Sequence, residues 1–438
     1  MCSFIVTNKP IESLEIINRY SKLRGPDYTN SITVNEYNII HNLLSLTGEF
    51  TKQPFIKDNV AIVFNGEIYN YKSFGNYTTD GECIIDVYKK YGIEFASKLD
   101  GEFAVLILDF NKNLALISTD TFATKPVWYS LEGNYLSCTS YRSSTVLNNF
   151  KNVVKVKANT TVIIDLNKKS VINTFYNYEF NLNQYKESYS DWVVAFENAI
   201  YKRVYHSTNQ KLFLGLSSGY DSGAIACALN NLNVDFKAYT IKGSEDLNTI
   251  LERKKLIKNH EIIEMRISQY NEHLINLKNN IEEFYDDKIN YKICNDKASV
   301  GLSVICDKAK GESRKIYFSG QGVDEIISDY GMLGTKIYNH SCFGGLFPKQ
   351  LESIFPWLNF YEGNQKMYIS KEEHVAGMYG IETRYPFLDK DVVQEFLNLT
   401  QELKNKNYKS VLHDYLTKHN FPFLVNRKIG FQANVNLI

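Results

Sequence analysis

The stretch LFLGLSSGYDSG, residues 212–223, decides how the second half of this chain folds. Leu212, Phe213 and Leu214 form an apolar run that continues through Gly215 and Leu216 and ends in the small residues Ser217, Ser218 and Gly219. The run AIACALNNL then has helical character, with a helix starting near Ser222. A strand that ends in small residues and enters a helix lets backbone N–H groups approach a phosphate, and the helix N-terminus favours its charge. Asp221 at the tip is placed to hold Mg2+ between phosphates. The Gly-Lys-Ser/Thr ending of a Walker A loop is absent.

Around this stretch, FKAYTI (236–241), HEIIEMRI (260–267) and KIYFSG (315–320) are further compact apolar runs separated by helical stretches. Strand–helix–strand alternation predicts a parallel sheet with helices on both faces. After KIYFSG comes GQGVDE, which puts Asp324 and Glu325 on a second acidic strand-to-helix tip. Its bland reading is a helix start with acidic residues near the dipole. Paired with Asp221 across a parallel sheet, Asp324 completes a two-carboxylate magnesium site at the strand C-terminal ends.

The first ~180 residues have a different grain. Strands are expected at Cys2 to Thr7, Tyr37 to Leu44, Val60 to Phe64, Phe103 to Asp109, Leu114 to Ser118, Tyr135 to Cys138 and Thr161 to Leu166, with a helix at Gly81 to Tyr91. Such runs predict stacked antiparallel sheets in an α+β domain. A polar stretch between Asn177 and Tyr189 marks the boundary, giving domains at 2–183 and 184–438, and a helix is expected from about Ser190 to Tyr205.

The 438 residues allow two domains with their own cores. Forty-nine basic and 49 acidic residues cancel, so no global field points to nucleic acid. Seven cysteines without a CxxC pair suggest neither a disulfide framework nor a zinc knuckle. No apolar run reaches the ~18 residues of a membrane span, and no signal-peptide pattern is seen, so a cytoplasmic protein is expected.

Cys2 follows the initiator directly. With Met1 removed it carries a thiol and a free α-amine that can take the thiol proton. NGEIYN at Asn65 to Asn70 follows the apolar run VAIVF. There an Asn side-chain amide and an unhindered Gly N–H suit a developing oxyanion, although Asn-Gly is also the commonest hairpin turn. In order, MCS, RGPD (24–27), NGEIYN, LDGEFAVLILD (99–109) and KPVWY (125–129) resemble the class II glutamine amidotransferase domain of asparagine synthetases. The resemblance implies an N-terminal-nucleophile fold, with Cys2 as nucleophile and Asn65 and Gly66 as oxyanion hole. It places Arg24, Asn65, Glu67 and Glu82 about glutamine. Three positions depart: Leu43 stands where that family has an Arg gripping the glutamine carboxylate, Glu82 where it has an Asp, and Thr119-Asp120 replaces an Arg-Asp pair.

The second half is similar to the ATP-pyrophosphatase domain of the same family, an adenine-nucleotide α-hydrolase-like fold. Ser217, Ser218, Gly219, Asp221 and Ser222 match its SGGxDS loop, with Ser218 replacing a Gly. Leu216, Ile241, Ser319 and Gly320 are the further ATP-binding positions that the resemblance implies, and Asp221 and Asp324 the Mg2+ ligands. GIETRYPFLDKDV (380–392) resembles the GxExRxPFLD run, and NRKIGF (426–431) the RxKxGF run. The latter implies that Lys428 stabilises charge on departing pyrophosphate. Glu382 and Arg384 read equally as a structural ion pair. Gln321 stands where SGEGxDE has Glu, and an amide cannot act as a base near neutral pH.

Three readings follow from the resemblance. The first is a ligase that makes asparagine from aspartate, ATP and glutamine; the second amidates or cyclises another carboxylate, in a small metabolite or a peptide. The third is a regulatory relative without catalysis. Cofactors are then ATP and Mg2+, and partners are small molecules with neither nucleic acid nor membrane. The family implies a homodimer, which no residue of the sequence demonstrates.

Overall fold

The computed structural model describes residues 2–205, 210–282, 293–428 and 430–431. Met1 and Ile429, which belong to two of the quoted motifs, lie outside the described residues. The chain forms two compact units. One comprises Met1–Glu179 with Gly377–Ile381, and the other comprises Phe180–Ala376 with Glu382–Ile438.

The first unit holds two six-stranded sheets with antiparallel pairing throughout. Its strands are β1 (Ser3–Thr7), β2 (Tyr28–Val34), β3 (Tyr37–Leu43), β4 (Phe55–Lys57), β5 (Val60–Ile68), β6 (Gly101–Asp109), β7 (Leu114–Thr119), β8 (Trp128–Glu132), β9 (Tyr135–Thr139), β10 (Val154–Lys155), β11 (Thr160–Asp165) and β12 (Ser170–Tyr176). One sheet runs β10-β8-β9-β1-β3-β2 and the other β12-β11-β7-β6-β5-β4.

VAIVF does not alternate apolar with polar because both faces of β5 are covered. Ala61 and Val63 join Phe4, Val6 and Ile39 in the core between the sheets. Val60, Ile62 and Phe64 join Ile84, Val87 and Tyr88 of the helix Cys83–Tyr91 on the other face. Across the first sheet, Ile5 and Ile40 pack on Ile17 of the helix Leu14–Ile17. Helices therefore flank the two stacked sheets, the layering that buries both faces of a sheet.

The second unit is built on a fully parallel sheet of β13 (Lys211–Gly215), β14 (Phe236–Lys242), β15 (His260–Glu264), β16 (Arg314–Phe318) and, later in the chain, β19 (Glu382–Arg384). A two-stranded hairpin, β17 (Gly331–Met332) with β18 (Thr335–Lys336), lies between the last two in sequence. The order β15-β14-β13-β16-β19 reverses direction at the β13/β16 pair. Ligands of open α/β sheets bind outside the strand C-termini at such a switch point. Both acidic tips, 217–222 and 320–325, leave the sheet there.

The expected helix from Ser190 to Tyr205 is present over those residues. Glu382 and Arg384 lie on β19 and pair with each other at 2.7 Å, both almost fully buried. Asp389 caps the helix Lys390–Asn398 and binds Arg203 at 2.8 Å and Lys202 at 2.6 Å. The charges of the GIETRYPFLD run are thus paired structurally, Glu382 with Arg384 at the sheet edge and Asp389 with Lys202 and Arg203 of the Ser190–Tyr205 helix.

Candidate functional site

In the first unit, β1 and β5 bring Cys2 and Gly66 to one small cavity with Leu43, Glu67 and Asp80. The Cys2 thiol faces the Leu44 carbonyl at 3.9 Å, and its own carbonyl accepts from Arg24 Nε at 3.1 Å. Arg24 is fully buried, so its guanidinium braces the backbone behind the thiol. Asn65 and Gly66 sit inside β5, paired with Ala104 and Phe103, and form no hairpin turn. Gly66 has φ +140, and a Cβ there would lie 1.9 Å from the Glu102 carbonyl oxygen. Gly66→Ala is therefore expected to cost about 3 kcal/mol or more, read as a lower thermal midpoint with activity lost in parallel.

The Asn65 amide is fully buried, yet among the described residues neither its nitrogen nor its oxygen has a hydrogen-bond partner. A buried amide of that kind is costly unless a ligand completes it. Glu67 accepts from the Thr47 hydroxyl, and Gln53 holds the Phe64 N–H at 2.8 Å, which fixes the cavity walls. The cavity measures about 30 Å3 by the positions open to the centre of a water-sized sphere, more than the ~10–15 Å3 by which one water is accommodated.

Glu82 does not line this cavity. Its carboxylate accepts from the Thr78 N–H at 2.8 Å and the Thr78 hydroxyl at 3.0 Å, capping the turn ahead of the Cys83 helix. Asp80, two residues earlier, lines the cavity and accepts from the Ile68 N–H at 2.8 Å. The acidic candidate for a substrate amine thus moves from Glu82 to Asp80. Glu49, Glu67 and Asp80 line the cavity, and no Lys or Arg does so among the described residues. Leu43 takes part in the wall as a buried apolar side chain. Asp120 accepts from the backbone N–H groups of Phe103, Phe122 and Thr124, so it is a turn-forming residue.

In the second unit, a cavity of about 330 Å3 opens at the switch point, lined by Ser217, Asp221, Ser222, Gly320, Asp324 and Lys428 among others. The loop after β13 folds on itself. Ser217 N–H donates to the Ser222 hydroxyl at 3.0 Å, and the Ser217 and Ser222 hydroxyls are 2.9 Å apart. The helix begins at Tyr220, directly after Gly219. Arg253 grips the loop from behind through the carbonyls of Ser217 and Gly219. A Cβ on Gly223 would lie 2.3 Å from that guanidinium, which is why glycine stands there. Ser218 is fully buried; its N–H and hydroxyl both donate to Glu245, and its hydroxyl also accepts from Asp246 N–H. The residue that replaces a family glycine is therefore a lock on the loop.

Asp221 and Asp324 share one cation, Lys409, at 2.6 and 2.7 Å, and Lys428 pairs with Asp324 as well. Charge attraction from the two lysines holds the Asp324 carboxyl well below the usual range, against the burial that pushes it up. Burial instead raises the carboxyl of Asp221. Leu216 and Ile241 are buried in the sheet, where the Leu216 N–H bonds Tyr239 and Ile241 pairs with Ile263. Neither lines the cavity, nor do Ser218, Gly219 and Ser319.

Residues 1–184 match the glutamine amidotransferase domain family, and residues 195–359 and 357–436 match the asparagine synthase family. The chain belongs to the asparagine synthase family. A relative from Methanocaldococcus jannaschii, named "Putative asparagine synthetase (glutamine-hydrolyzing) 1", is 27% identical over 411 residues, covering 85% of this chain and 71% of its own. The asparagine synthetase (glutamine-hydrolyzing) of Gallus gallus is 25% identical over 458 residues, covering 91% and 76%.

Two residues at the site of the second unit belong to none of the quoted motifs: Lys409, which bridges Asp221 and Asp324, and Glu372, on the cavity wall. Lys409 precedes the helix Ser410–Lys418 with φ 50, and nothing near it in sequence signals a site. Glu372 lies on the helix Gly363–Gly377, far in sequence from Gln321, yet both line the cavity.

Proposed function

We propose that this protein is an ATP-dependent amide-forming ligase of the asparagine synthetase kind. Glutamine is hydrolysed at Cys2, and the ammonia is joined to aspartate activated as an acyl-adenylate. The observation that carries the reading is the Asp221–Lys409–Asp324–Lys428 cluster at the switch point of the parallel sheet.

Two hard carboxylates fit Mg2+, which takes its remaining oxygens from phosphates and water. Among the described residues no group of three or more His, Cys, Asp or Glu forms a protein-only metal cage. That agrees with an ion shared with a nucleotide. Asp221 and Asp324 would hold it, and it would neutralise charge on the leaving pyrophosphate. Ser217, Ser222 and Gly320 border the same cavity and are our candidates for ATP contacts, with Lys428 on its wall to face the phosphates and Lys409 behind, bridging Asp221 and Asp324. A carboxylate oxygen of the acceptor then bonds the α-phosphorus, and the bond to pyrophosphate breaks. Ammonia next bonds the acyl carbon, and AMP departs.

In the first unit, the Cys2 sulfur attacks the amide carbon while Asn65 and the Gly66 N–H receive the oxyanion. The unsatisfied Asn65 amide supports this role. Asp80, in place of Glu82, is our candidate for the substrate amine. The domain bounds 2–183 and 184–438 carry these two activities in our reading.

A second reading, a different carboxylate as acceptor, is favoured by one observation: Gln321 lines the cavity where the family carries Glu. One assay separates the two. The protein is incubated with ATP, Mg2+ and glutamine or ammonia, with and without aspartate, and pyrophosphate and product are measured. Asparagine with aspartate-dependent pyrophosphate release is expected. Release only with another carboxylate sinks aspartate as acceptor, and none with any acceptor sinks the ligase reading.

A further inference from the structure

The cavity of the second unit contains a carboxylate that neither phosphate nor metal binding uses. Glu372 is only 6% exposed and still forms part of the cavity wall. Its Oε1 lies 3.4 Å from Gln321 Nε2, and its Oε2 accepts from the Ser319 hydroxyl. The Gln321 N–H in turn donates to the Ser319 oxygen at 3.1 Å. Gln321, Ser319 and Glu372 therefore form one small network on the wall that also carries Asp324 and Lys428.

We propose that Glu372 is the general base of the amide-forming step, accepting the proton that Gln321 has no capacity to take. The proposal rests on the adenylating reading above. As the amine nitrogen bonds the acyl carbon, one N–H proton passes to Glu372 Oε1. The C–O bond to AMP then breaks, and AMP leaves with the electron pair. The Gln321 amide and Ser319 hydroxyl hold the carboxylate in place by donating to it.

The surroundings suit that task. Burial pushes the Glu372 carboxyl up to about 7, opposed by the Ser319 hydroxyl, the Lys371 charge and the Gln321 amide, and aided by Glu373. Lys371 is itself held by Asp296 at 2.8 Å, which limits its pull. Cys306 and Tyr317 also face this carboxylate, and burial raises both well above their ordinary values, so they stay neutral beside it. A base with a pKa near the working pH is the effective kind. Because the active form is the carboxylate, amide formation rises with pH through about 7.

The test measures two half-reactions on the full chain. Carboxylate-dependent exchange of pyrophosphate into ATP reads adenylation, and hydroxamate formation from hydroxylamine reads attack by an amine without Cys2. Glu372→Gln is expected to lower the ratio of hydroxamate formation to exchange roughly 100-fold or more, and to remove the rise of that ratio near neutral pH. The double variant Gln321→Glu with Glu372→Gln returns a carboxylate to the network and is expected to recover part of the loss. An unchanged ratio in Glu372→Gln overturns the proposal, as does an equal fall of both half-reactions. Wild-type protein that shows no exchange with any carboxylate overturns the adenylating reading, and this inference with it.

Discussion

Asp324→Asn is expected to abolish pyrophosphate release with every acceptor, and to remove the rise in thermal midpoint that Mg2+ with ATP gives the wild type. The side chain keeps its shape, so the loss is one of charge. In the wild type two carboxylates and two ammonium groups balance within a mostly buried cluster. The substitution leaves Lys409 shared with Asp221 alone and takes from Lys428 its partner. Breaking one member of a buried pair costs about 3 kcal/mol or more, because the remaining charge stays out of water. The ligand-free variant is therefore expected to melt earlier than the wild type. Calorimetry with and without Mg2+ and ATP separates the effects, since ligand stabilisation follows RT ln(1 + [L]/Kd). A variant that melts early and is still stabilised by Mg2+ with ATP as strongly as the wild type would remove Asp324 from the nucleotide site.

Lys409 shows why part of this site was not legible in the sequence. Asp221 and Asp324 follow apolar strand runs, so local pattern places them at strand ends. Lys409 reaches the same point from a loop almost two hundred residues after Asp221, and a lone lysine carries no spacing signal. Glu372 is hidden for a related reason: it sits mid-helix among residues whose surroundings only tertiary packing sets. The stacked sheets were legible where strands are buried, as in β5 and β6. They were not legible in β12, whose SVINTFY is largely exposed and shows no apolar alternation. Strand β2 is masked by the polar residues of YTNSITV. Asp80 and Glu82 are two residues apart and equally acidic, and only the folded chain shows that Asp80, and not Glu82, lines the cavity with Cys2.

Cys2→Ala is expected to abolish glutamine-dependent product while ammonia-dependent product persists. The thiol is the atom that would form the thioester, whereas free ammonia needs only the second unit's chemistry. Removal of the nucleophile therefore divides the two activities cleanly, and a general loss of folding would lower both. Mass spectrometry of the intact chain shows whether Met1 is removed, which the α-amine of Cys2 requires. Product from glutamine in Cys2→Ala would exclude the thiol. The same pair of assays probes the missing clamp. Glu49, Glu67 and Asp80 give the cavity an acidic lining, and Leu43 offers a glutamine carboxylate no partner. A bidentate guanidinium recognises a carboxylate both by charge and by shape. Leu43→Arg, whose charge those three acids can offset, is expected to lower the glutamine concentration for half-maximal product roughly tenfold, a change of about 1.4 kcal/mol. Ammonia-dependent product is expected to stay level in that variant. If glutamine saturation does not shift, the donor's carboxylate lies away from Leu43, and another group of the first unit receives it.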